Sequence, residues 1–455
     1  MTTAGLLGDD RIDRLAAGLA DAGFVSLLYR PDGDALAAAG LLARVLATID
    51  TPFQATVSHP GRPVSDRERA TDADLAVRVG FTDPADSTGD TAATPEGSEG
   101  EVLVLPGESP PASLLARNVG HELDCDPDPA LALAGSVAAA VRDARDPWEG
   151  PFAEATEALL KRGRERDRLG DRRPGVVVPT AEVVGGLAHS TLVHAPFSGD
   201  IESTRERCGP LVDDGNRREI ASLLALATVG ADRTPPRGAI AIERALRPID
   251  LSGSTPFATL GGYADVLSCV AAERPGIGLG FILDYDVREA ALEAWRAHAQ
   301  RAHAELRSAT IARYDGLSVA RLGAIAGADG TEGGGKRDGG ETTDGGDGRT
   351  APVATIARLL RDYRSPEPVV LVVGEGTGAL SATEDRALGA VLAEATRDLD
   401  GAGGGTERTG AARFDADSEE FVAAVRAALT EGSRADADGD ARAETRVDAA
   451  GGDRS

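Results

Sequence analysis

Between residues 10 and 150, short apolar runs of strand length alternate with longer helical segments, and this alternation restricts the fold more than any other feature. The order is an amphipathic helix from Arg11 to Ala22, FVSLLY, the turn RPDGD, the helix ALAAAGLLARVLATI, then FQATVS, DADLAVRVGF and EVLVL, closed by ALALAGSVAAAVRDA. Strands that are apolar on both faces and joined by helical crossovers belong to a largely parallel sheet covered on both sides. The loop from Asp83 to Glu101 is polar and reads as mobile.

From Trp148 to about Ile325 the pattern is mixed. The Arg-rich helix FAEATEALLKRGRERDRLG precedes GVVVPT, GGLAHSTLVHAPFSGD and the apolar helix EIASLLALATV, and GGYADVLSCVAAERPGIGLGFIL leads to the helix REAALEAWRAHAQRAHAEL. Residues 328–350 are rich in Gly and Asp and predict a flexible linker. Order resumes with VATIARLLRDYR, PVVLVVGEG, EDRALGAVLAEATRDL, ARFDA and EFVAAVRAAL. The expected fold class is α/β, with a parallel-sheet domain at 1–147 and a helical connector with a mixed middle region at 148–327. After the linker at 328–350, a smaller α/β domain occupies 351–432 and a disordered acidic tail 433–455.

At 455 residues the chain accommodates two or three domains. Asp and Glu number 74 against 48 Lys and Arg, a net charge of -26, and Lys161 and Lys336 are the only lysines. The acidic excess is dispersed, as in proteins of salt-accumulating cells, so it reads as a halophilic surface rather than as repulsion of nucleic acid. At molar salt the screening length falls to about 3 Å, and counterion release loses its driving force. Aromatics are 4%, which leaves few rings for base stacking. Cys125, Cys208 and Cys269 stand far apart, which excludes a disulfide framework and a cysteine-rich zinc module. Without a spanning apolar run or a basic N-terminal segment, the expectation is a soluble, cytoplasmic protein.

The first candidate for chemistry is RPDGDALAAAGLL at 30–42. Two carboxylates at i and i+2, Asp32 and Asp34, in a tight loop at a strand's C-terminal end can aim hard oxygen ligands at a divalent metal. The same residues can instead cap the following helix. The segment resembles the first motif of the DHH phosphoesterase superfamily, which includes RecJ exonucleases, oligoribonucleases and inorganic pyrophosphatases. A second match is ALSATEDRALGAVLAEATRDLDGAGGGTERTGAARFDADSEEFVAAVRAAL, which resembles the domain that follows DHH domains. Its glycine run, with Gly403, Gly404 and Gly405 followed by Thr406, would bring backbone N–H groups close to a phosphate.

The resemblance covers roughly the first 145 and the last 80 residues. It implies a two-domain architecture with a cleft and, in active members, two Mn²⁺ or Mg²⁺ ions that activate water. Several expected ligands are replaced. The His before the first Asp is Leu28, the second motif has Gly80 with only Asp83 nearby, and the D-H-H itself reads Pro106, Gly107, Glu108. Asp171 is a candidate fourth Asp, and the His of the glycine run is Thr406. The resemblance therefore implies a RecJ-like protein of replication or repair with a degenerate site and no metal. Its implied partners are single-stranded nucleic acid, GINS or the replicative helicase. The alternatives are a Mn²⁺- or Mg²⁺-dependent single-strand 5′ exonuclease or oligonucleotide phosphodiesterase, using Asp32 and Asp34 with a set drawn from Asp83, Asp171 or His121, and a sensor whose cleft binds a small nucleotide with Gly403 to Gly405 cradling its phosphate.

Other features read as structural. VVLVVGEGTGAL has strand–glycine–helix character but lacks a full G-x-G-x-x-G. His121, Asp124, Cys125 and Asp126 read as a plain loop, and the Arg run at 161–173 as an ion-paired helix surface. His189 and His194 are five residues apart and do not share a ligand; His298 and His303, also five apart, read as a solvated helix face. Ser190, Ser198 and Ser268 lack the context of a nucleophile.

Overall fold

The first strand, β1 (Val25–Tyr29), is buried along its whole length, as a central strand of a covered parallel sheet must be. The computed structural model describes residues 9–58, 73–81, 101–213, 215–231, 234–252, 255, 257–323 and 351–431. The linker expected at 328–350, the tail at 433–455 and most of the 83–101 loop lie outside these residues. Helix α1 (Asp9–Asp21) precedes β1, and α2 (Gly33–Thr48) crosses to β2 (Phe53–Val57); β3 (Leu75–Val79) and β4 (Glu101–Leu105) complete a parallel sheet of order β2-β1-β3-β4. The strands pair in register from Val25 with Phe53 and with Leu75.

Helix α2 is sunk among its neighbours because its sequence is small and apolar. It packs against α3 (Ala112–Glu122) and α4 (Pro129–Arg142). Gly135 of α4 lies where a Cβ would come within 2.6 Å of Ser113 and 2.8 Å of Ala37, so α3 and α4 reach this close only because residue 135 is glycine.

The middle of the chain is mainly helical: α5 (Ala153–Glu165), α6 (Val183–His189), α7 (Ile201–Asp213), α8 (Arg217–Val229), α9 (Arg237–Leu246), α10 (Leu260–Glu273), α11 (Pro275–Ile282) and α12 (Arg288–Ser308). Strands β5 (Leu169–Arg172) and β6 (Ile249–Leu251) form a small antiparallel pair within it. Helix α12 is the spine of the molecule. Its Leu292 and Trp295 belong to the core under the parallel sheet, while Ala302 and Leu306 belong to the core of the C-terminal lobe.

Strands β7 (Thr310–Tyr314) and β8 (Leu317–Arg321) differ from expectation. Assigned by sequence to the middle region, they join the C-terminal sheet, whose order is β11-β12-β10-β9-β8-β7. The parallel pairing of β8 with β9 (Val369–Gly374) buries Leu317 and Val319 beside Leu371, so this lobe starts ahead of 328–350. Helix α13 (Val353–Tyr363) covers one face. Strand β10 (Thr377–Ala382), helix α14 (Leu388–Ala395), β11 (Ala402–Gly405), β12 (Thr409–Arg413) and a helix at 418–431 complete the lobe. The segment VVLVVGEGTGAL is the β9–β10 hairpin, turning at Glu375 and Gly376, the latter at φ 60°; no helix follows its glycines. Among the described residues no helix is long and apolar enough to cross a membrane.

Candidate functional site

In a sheet of order β2-β1-β3-β4 the order of winding reverses between β1 and β3, and the loops at the carboxyl ends of those parallel strands open a crevice suited to ligands. Residues 30–34 leave β1 there, Gly80 follows β3 and residues 106–108 follow β4. Asp32 is the N-cap of α2, its Oδ1 accepting from the Ala35 N–H at 3.0 Å. Two guanidinium groups also hold it: Arg142 Nη1 lies 3.2 Å from Oδ1 and Arg30 Nε 3.3 Å from Oδ2. Both arginines are anchored by the neighbouring loops, Arg30 donating to Gly80 O at 2.9 Å and Arg142 to Gly107 O at 2.8 Å. Arg142 grips Asp143 as well, through Nε and Nη2 at 2.9 and 2.8 Å.

Asp34 is 1% exposed and serves the N-terminus of α3, accepting from the Ala112 and Ser113 N–H groups at 2.8 and 3.0 Å. Burial pushes its carboxyl up to about 6, against the pull of Arg142 and helped by the charge of Asp32. Burial would raise Asp32 too, but Arg142, Arg30 and the backbone donors outweigh it and hold its carboxyl below the usual range.

These residues do not fit a divalent metal pair. Both oxygens of Asp34 accept backbone N–H bonds, and both oxygens of Asp32 face guanidinium groups, although Oδ2 is buried with the Arg30 ion pair alone and no hydrogen bond. Leu28 is buried and apolar, and Gly80 and Gly107 face each other so closely that a Cβ on Gly107 would lie 2.7 Å from Gly80 Cα. Among the described residues no three His, Cys, Asp or Glu side chains are grouped to hold a metal. Asp171 does not join the pair; it is an exposed residue of β5 with Arg164 Nε at 3.2 Å. Asp83 lies outside the described residues.

The glycine run, expected as a phosphate-cradling turn, is strand β11. A Cβ on Gly403 would meet Leu392 O at 2.7 Å and one on Gly405 would meet Thr409 O at 2.1 Å, so these glycines let α14 and a tight hairpin approach; only Gly404 faces open space. Thr406 is buried in that hairpin, its Oγ1 accepting from the Thr409 N–H at 3.1 Å.

Sequence reasoning missed the arginines that tie the other lobe to the end of α4. The last carbonyls of α4 receive Arg361, which donates to Arg142 O at 2.7 Å and Val141 O at 3.1 Å, and Arg408, which donates to Asp143 O at 3.0 Å. Cations at a helix C-terminus complement its dipole. Arg361 is fully buried and also bonds Ser381 and Asp362. The one available signal was Arg142 itself, a charge ending an otherwise apolar helix.

The other histidines also depart from expectation. His298 and His303 are buried on α12, not solvated, because neighbours cover α12 on more than one side. His303 Nδ1 lies 3.0 Å from His194 Nδ1, and its Nε2 is 3.0 Å from Ser190 O. The Arg run is ion-paired in part, through Lys161 with Glu165, Arg164 with Asp171 and Arg166 with Asp126.

A parallel sheet with its crevice, a long connecting helix and a second lobe with a mixed sheet make a fold that is also seen in a solved structure. The crystal structure of CDC45 from Entamoeba histolytica has this fold, with a TM-score of 0.54 at 8% identity over 92% of this chain and 99% of that one. RecJ from Thermus thermophilus, in complex with Mn²⁺, gives a TM-score of 0.44 at 15% identity over 94% of this chain; the chain spans 56% of that RecJ's length. Residues 309–427 match the family model described as the C-terminal domain of uncharacterized protein rrnAC1427. The Haloarcula marismortui protein of that name is 40% identical over 424 residues, 91% of this chain and 96% of its own length. The chain belongs to the rrnAC1427 family.

Proposed function

We propose that this chain is a non-catalytic member of the DHH-type fold, a binding or scaffold subunit of DNA replication or repair rather than a metal-dependent phosphodiesterase. The observation that carries the reading is the arginine clamp. Arg142 and Arg30 supply to Asp32 the positive charge that a divalent ion would supply in an enzyme, and Asp34 is spent on the N-terminus of α3. In this reading the cleft between the lobes guides single-stranded nucleic acid or seats a partner of the GINS or replicative-helicase kind, which the sequence resemblance implies. The test is a nuclease assay in molar KCl with Mn²⁺ on 5′- and 3′-labelled single-stranded DNA and RNA, with an Asp32→Ala, Asp34→Ala double variant purified identically. The expected result is no cleavage that distinguishes the two proteins, followed by retention of GINS in a pull-down. Cleavage lost in the double variant would overturn the proposal in favour of a metal-dependent exonuclease.

A further inference from the structure

Away from the crevice, the far end of α3 and the end of α5 bring like charges together. Helix α3 starts on Asp34 and runs outward, carrying Arg117 in its second half and His121 in its last turn. Helix α5 lays Arg162 Nη1 3.4 Å from His121 Nε2, and Arg166, its C-cap, pairs with Asp126 at 2.6 Å. Among the described residues Arg117 bonds only the Asn118 side chain, its Nε buried without a partner, and Arg162 contacts only His121. Some exposed arginines elsewhere pair with a carboxylate, as Arg205 does with Glu202 and Arg397 with Glu394. Here, among the described residues, Arg166 alone has an ion pair, with Asp126. Burial, then Arg162 and Arg166, push the Arg117 guanidinium down to about 10, and burial, Arg117 and Arg162 hold His121 below its ordinary value. An anion seated among these groups would relieve that repulsion.

Arg166 and Asp126 also line an open groove of about 1170 Å³, whose walls include Tyr263, Phe281 and Tyr285, Arg44 with its partner Asp284, and the carboxylates Asp128 and Asp286. Tyr263 and Phe281 meet edge-on in its floor, and Tyr285 is 66% exposed, free to stack on a flat ring. We propose that Arg117, His121, Arg162 and Arg166 bind the phosphomonoester of a nucleotide, with its nucleoside in the adjoining groove. Among the described residues Arg117, Arg162 and Arg166 have one ion-paired carboxylate between them, Asp126, so the cluster itself keeps an excess of positive charge for a phosphomonoester. Planar guanidinium forks suit phosphate oxygens, and the site's charge does not depend on the crevice. A free mononucleotide and the 5′-phosphorylated end of an oligonucleotide present the same chemistry.

Calorimetric titration of the full chain in molar KCl tests this with inorganic phosphate, AMP, adenosine, and an oligonucleotide with or without a 5′-phosphate. AMP or the phosphorylated oligonucleotide should bind more tightly than inorganic phosphate, and the unphosphorylated probes should bind far more weakly. Whichever of those two binds identifies the source. Arg162→Gln, a change at an exposed position, should weaken every phosphorylated probe roughly tenfold, the loss of one charge-assisted hydrogen bond. Tyr285→Ala should weaken AMP and leave inorganic phosphate unchanged. The His121 ring, followed by NMR, should titrate at higher pH when phosphate is bound. Absence of phosphate binding by the folded wild type, or binding indifferent to Arg162→Gln, overturns the site. AMP binding no tighter than phosphate removes the nucleoside from it.

Discussion

Arg142 ends an apolar helix with Asp32 on one side and Asp143 on the other, largely out of water, so its charge is matched only as long as both carboxylates stay in place. Arg142→Ala leaves Asp32 with Arg30 alone and should lower the free energy of unfolding by about 3–5 kcal/mol, the usual cost of breaking a buried pair. Arg142→Lys should recover only part of it, because an ammonium cannot bridge Asp32, Asp143 and Gly107 O together. Denaturant unfolding measures both. If the guanidinium does stand in for a cation, Mn²⁺ should raise the melting temperature of the Ala variant and leave wild type unmoved. Asp34 makes a separate prediction in pH. Its folded value of about 6 lies above the unfolded one near 4, so the folded state binds the extra proton between them. Its contribution is complete below about pH 4 and is lost as pH rises through 6, a change of at most roughly 3 kcal/mol. Asp34→Asn, compared with wild type across that window, should remove the slope; an unchanged difference between the two proteins would mean that Asp34 is ionised throughout.

Helix α12 shows where periodicity serves and where it stops. His298 and His303 stand in a charged, Arg-rich stretch that reads as a solvated helix face, although five residues of helix put them about 140° apart. Helices α10 and α11 pack on α12, and so do α6 and α13, and both rings are buried. Burial first, with Arg307 and Arg358 behind it, brings His303 down to about 4. A depressed histidine binds its proton in the unfolded chain first, so its contribution is complete above about pH 6.5 and is lost as pH falls through 4, again at most roughly 3 kcal/mol. His303→Gln should therefore flatten the acid side of the stability curve, read as denaturation midpoints at several pH values. Asp34 and His303 act with opposite sign in one window, so the single variants reveal slopes that the wild type partly cancels. The strands of the parallel sheet were legible because each is a short apolar run between helices, and Asp32 and Asp34 because their spacing is local. The pairing of β8 with β9 was not legible, since residues 322–368 lie between the two strands and only tertiary contact sets Leu317 opposite Val369. Those intervening residues hold the Gly- and Asp-rich segment that reads, in sequence, as a domain boundary. Asp171 offered only its charge as a signal, and Arg142 chose its partners through contacts that no local spacing encodes.

Across the whole molecule two kinds of charge interaction coexist, and salt separates them. The net charge of -26 is spread over the chain, so the folded state repels itself at low ionic strength and is relieved as the screening length shrinks. Exposed pairs such as Arg205 with Glu202 are screened by the same salt and contribute little to stability. The lobes are held together differently. Helix α12 threads both cores, and Arg361, without exposure to solvent, ties the end of α4 to Asp362 and Ser381. Ions do not reach such a contact, so its strength should not depend on salt. The melting temperature of the wild type should therefore climb steadily from low to molar KCl. Arg361→Met, which keeps the volume but removes the guanidinium from Val141 O and Arg142 O and leaves Asp362 with Arg244, should melt lower, by about 3–5 kcal/mol in unfolding free energy. The gap between the two proteins should stay constant along the salt series. A gap that closes in molar KCl would mean that the lobes are joined by screened surface charge and that Arg361 is reached by solvent ions. A constant gap beneath a rising curve assigns the salt dependence of stability to the acidic surface and the joining of the lobes to the buried arginines.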